Sequence, residues 1–96
     1  MEREELLTKI DSFNDELINV RRHIHAHPEL SGLENQTAIL ISGYLKNIGW
    51  RVTESIGRTG VVADFGPKDK GFIGLRVDMD ALPIYENTNL SFSSKN

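Results

Sequence analysis

The sequence predicts an α/β fold: two N-terminal helices packed on a mixed sheet that includes an antiparallel hairpin. Three observations point there. Apolar residues recur with a helical period as far as Ile48. After Gly49 the period falls to near two, as in strands. Two apolar runs then flank a polar Gly-Pro turn, and the second of them is apolar without interruption.

The first helix is read from Leu6, Ile10, Phe13, Leu17, Val20 and Ile24, a single apolar stripe. Glu2, Glu4 and Glu5 lie in its first turn and Arg21 and Arg22 near its far end, matching the helix dipole. Pro28 cannot continue it and disfavours helical geometry at His27, so it should end near residues 25–27. The second helix follows Ser31-Gly32-Leu33-Glu34, a match to the capping box with Ser31 as N-cap. Thr37, Ile41, Tyr44 or Leu45, and Ile48 give its spacing, and Gly49 closes it.

Residues 50–55 alternate as a strand, and Gly57-Arg58-Thr59-Gly60 is a turn. Val61–Phe65 is a β-branched run. Gly66-Pro67-Lys68-Asp69-Lys70-Gly71 turns the chain, and Phe72–Val77 is the next apolar run. These two runs are expected to pair as the hairpin, with 72–77 buried on both faces. Pro83 stops regular structure. Residues 85–96, rich in Asn, Ser and Thr, read as a loop or frayed end.

Composition narrows the function. The chain has 96 residues, 39% hydrophobic and 26% charged, which suits one small soluble unit. Its net charge of −3 argues against a nucleic-acid or polybasic membrane partner. With no Cys there is no disulfide, thiolate nucleophile or Cys-bound metal. The acidic start and the lack of a long apolar run speak against a signal peptide or a membrane span, so a cytoplasmic setting is expected.

Four features could carry chemistry. His23, His25 and His27 look like ligands, but on a helix only His23 and His27 share a face, and no Glu stands in the zincin position. They are therefore read as helix-end histidines, with no metal assigned to them. Asp78 and Asp80 follow an apolar run, where functional groups gather in open α/β sheets. A turn in which each Asp bonds its own backbone is an equal reading. Arg21 and Arg22 suit a helix end. The glycines near Gly57 form no phosphate-binding motif.

Three motifs together resemble one enzyme family. They are Arg21-Arg22-x-x-His25-x-x-Pro28-Glu29-Leu30-Ser31-x-x-Glu34-x-x-Thr37, then Thr59–Ala63, then Leu75–Ile84 with Glu86. The family is the metal-dependent amidohydrolases, which include hippurate hydrolase, N-acyl-amino-acid deacylases and indole-acetyl-amino-acid hydrolases, within the aminoacylase and carboxypeptidase-type metallopeptidases. The resemblance implies a zinc-peptidase-like catalytic domain of which residues 1–96 are an incomplete N-terminal portion. It also implies two divalent metals, zinc or manganese, a Glu general base, an N-acylated amino acid as substrate and a homodimeric parent.

The family's His-Ala-Cys-Gly-His-Asp-like ligand segment is not in this sequence, so the resemblance implies no metal bound by these residues and no hydrolysis by them alone. In related aminopeptidase-type members a His-x-Asp pair falls at Asp78-Met79-Asp80. Asp80 matches the Asp that orients a metal-bound group, and Asp78 stands where the His would be. These two are the candidate catalytic residues, neither as a metal ligand. Arg21, Arg22, His25 and Glu34 are expected to tie helix ends and loops to the sheet, and Thr59 and Gly60 to shape a strand entry. Two other readings compete. One is a non-catalytic binding or pseudoenzyme fragment. The other is a phosphatase-like enzyme with Asp78 as nucleophile and Asp80 as acid, whose further motifs are missing.

Overall fold

A computed structural model describes residues 1–95. The chain forms two compact units, one of residues 1–28 with 84–96 and one of residues 29–83.

In the first unit α1 (Arg3–Ser12) and α2 (Asn14–Ala26) replace the single helix expected from the apolar stripe. The break is at Phe13, whose backbone (φ −95, ψ −1) stays in the right-handed helical region but departs from regular α-helix values, so that it closes α1 and opens α2. Side chains around it explain the interruption. The Thr8 hydroxyl donates to the Glu4 carbonyl at 2.9 Å and the Ser12 hydroxyl to the Lys9 carbonyl at 2.5 Å, bonds that bend helices. Asn14 and Asp15 then favour a new helix start. Leu6, Ile10, Phe13 and Leu17 all remain about half exposed, so the stripe is only lightly covered. Ala26, in the last turn of α2, is buried.

In the second unit α3 (Asn35–Asn47) packs on a hairpin of β1 (Arg51–Ile56) and β2 (Gly60–Asp64). The hairpin pairs Arg51 with Asp64, Val52 with Ala63 and Thr53 with Val62, then shifts register before Ile56 meets Gly60. Left-handed Ser55, Gly57 and Arg58 accommodate the shift and the turn. The cross-strand pair is closed by Arg51, which donates to Asp64 at 2.5 Å and to the Gly66 carbonyl at 2.6 Å. Trp50 stacks on Phe65 just beyond it, ring centres 5.7 Å apart. Ser42, almost fully buried, lets α3 approach β1, and its hydroxyl donates to Glu54. Lys46, one turn on, donates to the same carboxylate at 2.7 Å and, with Ser42, holds it below the usual carboxylate range.

The α/β class stands, but the expected hairpin does not form where the apolar runs placed it. β2 pairs with the strand before it, across a short turn, and the second run has no strand partner among the described residues. Phe72, Ile73, Leu75 and Val77 are accordingly exposed, Ile73 and Leu75 at 95%. An apolar run becomes a buried strand only when neighbours supply both ladders and both covering faces. Regular pairing resumes at Ala81, which makes a parallel bridge to Leu30 and donates its amide to the Glu29 carbonyl at 2.7 Å.

Candidate functional site

The signature residues converge in two carboxylate-centred clusters, one in each unit. In the second unit, Glu29 supplies the cap of α3. Its Oε1 accepts the Thr37 amide at 2.6 Å and its Oε2 the Gln36 amide at 3.1 Å. These are orphan donors of the first helical turn. Partial burial pushes the Glu29 carboxyl up, but the hydrogen bonds from Thr37 and Gln36 outweigh it and hold the group below its ordinary value. The expected Ser31 cap is not used: the helix begins at Asn35, after Glu34, and no side chain of the capping residue bonds it. Glu34 is buried instead. Its Oε1 accepts the Leu33 amide at 3.0 Å and its Oε2 the Thr59 hydroxyl at 2.9 Å. Gly32, left-handed at φ +82, turns the chain under the Arg58 guanidinium.

In the first unit the centre is Glu86, whose side chain is only 13% exposed. It accepts from the Thr88 hydroxyl, from the Ser94 amide at 2.7 Å and from His25 Nε2 at 2.7 Å. The Thr88 and Ser94 bonds, with His25 behind them, lower its carboxyl to about 2. Phe92 lies under the Arg22 guanidinium at 4.3 Å and edge-on to His25 at 6.0 Å. Lys95 donates its amide to the Ala26 carbonyl at 2.9 Å. Residues 84–95 thus carry no helix or strand, yet are anchored on α2; Asn96 lies outside the described residues.

Asp78 and Asp80 are placed differently. Both are exposed, on a stretch without regular structure, and Asp78 accepts the Arg76 guanidinium at 3.1 Å. Among the described residues no three His, Cys, Asp or Glu side chains converge as a metal would require. These residues alone therefore do not fit a dinuclear centre. Sequence reasoning named Glu34, Thr59 and His25 as structural but missed the capping role of Glu29 and the acceptor role of Glu86. Each occupies a quoted motif, and the two unpaired amides of the α3 N-terminus were the available signal for the first.

These signature residues serve as a scaffold, and comparison with known proteins shows what the chain is similar to. No protein-family model matches the chain. It is 47% identical over 92 residues to hippurate hydrolase of Campylobacter jejuni, covering 94% of this chain and 24% of that protein. It is 38% identical over 97 aligned positions to an N-acyl-L-amino acid amidohydrolase of Geobacillus stearothermophilus, covering 100% and 26%. Its fold matches the crystal structure of the YXEP protein of Bacillus subtilis, described as a dinuclear metal binding peptidase from the M20 family. That match has a TM-score of 0.80 at 41% identity, over 90% of this chain and 24% of the other. The chain thus spans about a quarter of the length of the relatives it matches. The resemblance to the amidohydrolases and carboxypeptidase-type metallopeptidases holds across nearly all of it.

Proposed function

We propose that this chain is a portion of a metal-dependent amidohydrolase that cleaves the amide bond of N-acyl amino acids. The carrying observation is joint identity and shape: 41% identity with a TM-score of 0.80 to a dinuclear metal peptidase, beside 47% identity to a hippurate hydrolase. In this reading the chain's work is positional. Glu29 and Glu34 fix α3 against the β1–β2 turn, and Glu86 fixes residues 84–95 on α2. Asp80, next to the Leu30–Ala81 bridge, orients a group at the metal centre, with Asp78 beside it. The zinc or manganese ions, the general base and the dimer contact belong to the parent enzyme. The setting is cytoplasmic, and the 96 residues alone turn over nothing.

A chimera tests this. The matching quarter of the Campylobacter hippurate hydrolase is replaced by this chain, and benzoate release from N-benzoylglycine is measured with zinc or manganese. Sustained release supports the reading. A chimera that folds and takes up metal but releases no benzoate overturns it, and turnover by the 96 residues alone overturns the division of labour.

The exposed run Phe72–Val77 favours one second reading, a non-catalytic fragment that associates through this segment. Light scattering that shows a compact monomer removes it.

A further inference from the structure

The histidine pair at the end of α2 takes no part in either cluster. His23 and His27 are both exposed, lie one helical turn apart, and have ring centres 4.5 Å apart at an interplanar angle of 33°. His27 Nδ1 lies 2.9 Å from the His23 carbonyl oxygen. A carbonyl only accepts, so Nδ1 carries a proton, and in the neutral ring Nε2 is then the nitrogen with the lone pair. Backbone bonding of one imidazole nitrogen is how proteins present the other to a metal.

The spacing suits a shared cation. Two imidazoles bound to one metal at about 2 Å and at right angles have ring centres about 4.5 Å apart. The position suits it as well, because the last turn of a helix favours positive charge. His25, between them in sequence, points to Glu86 and is outside the pair.

We propose that His23 and His27 form a surface site for one imidazole-preferring divalent transition cation, copper, nickel or zinc, with water completing the coordination. Magnesium, which demands oxygen ligands, is excluded from it. The site is independent of the amidohydrolase reading and uses none of the residues that reading invokes.

The test is titration of the full 96-residue chain with copper, nickel, zinc and magnesium chlorides, read by calorimetry and by NMR of the imidazole signals. The expected result is one copper, nickel or zinc ion per chain and none of magnesium. Cu²⁺ should broaden His23 and His27 before His25. His23→Gln and His27→Gln should each weaken binding roughly tenfold or more, and the double variant should abolish it, as expected when one of two shared ligands is lost. Both side chains are exposed, so the variants should keep the helical circular dichroism of the parent, and the NMR arm needs no variant at all. Binding unchanged in the double variant, broadening centred on His25, or no binding by the parent would each overturn the site.

Discussion

The Thr59 hydroxyl donates to Glu34 Oε2 at 2.9 Å, joining the entry of β2 to the residue that precedes α3. Glu34 is buried, so this donor cannot simply be replaced by water. Thr59→Val keeps the shape and removes the donor. It should destabilise the chain by about 1–3 kcal/mol, the cost of a buried acceptor left unpaired. Thr59→Ser should recover most of the loss. Urea midpoints compare the three, and equal midpoints for Val and Thr would refute the assignment.

Glu29 caps α3 from outside the helix, two oxygens to two amides. Glu29→Ala should cost about 1–2 kcal/mol, as for loss of a good N-cap. Hydrogen exchange at the Gln36 and Thr37 amides should rise in that variant, with little change in the β1–β2 ladder.

Acid should loosen the first unit through Glu86. Its folded value, about 2, lies below its ordinary 4.5. A group depressed in the folded state stabilises fully above its unfolded value, and loses that contribution as the pH falls through the folded one. The loss should therefore run from about pH 4.5 down to about pH 2. The Ser94 amide shift, which reports the folded carboxylate, should change only at the acid end of that window, near pH 2. In Glu86→Gln the part of the acid dependence due to this carboxylate should disappear, which stability curves over the same range will show.

Two glycines should respond in opposite directions. A Cβ on Gly60 would meet the Ile56 carbonyl oxygen, so Gly60→Ala must open the turn, at a cost of about 1–3 kcal/mol. A Cβ on Gly43 would meet nothing, and the residue lies inside α3. Gly43→Ala should stabilise by about 0.5–1 kcal/mol. Thermal melts of the pair decide both.

Local signals carried the elements that depend on local chemistry. The end of α2 before Pro28 and the change of period at Gly49 are where the residues placed them, and the turn expected at 57–60 spans 57–59, with Gly60 opening β2. The break at Phe13 was not legible, because a continuous apolar stripe says nothing of hydroxyls that bend the backbone. The pairing of Phe72–Val77 was misread, because apolarity records a demand for cover and not which strand supplies it. At the site, Glu34 and Thr59 could be recognised as structural from their motifs. That they bond each other across 25 residues needed coordinates.

The bridge between Leu30 and Ala81 has an evolutionary consequence. It fastens the far end of residues 65–80, while β2 fastens the near end. Between those two fixings the chain makes one short 3₁₀ turn (Lys68–Lys70) and little else. Closing a loop costs only about 0.6 kcal/mol more for each doubling of its length. Insertions and deletions should therefore accumulate in residues 66–71 among relatives.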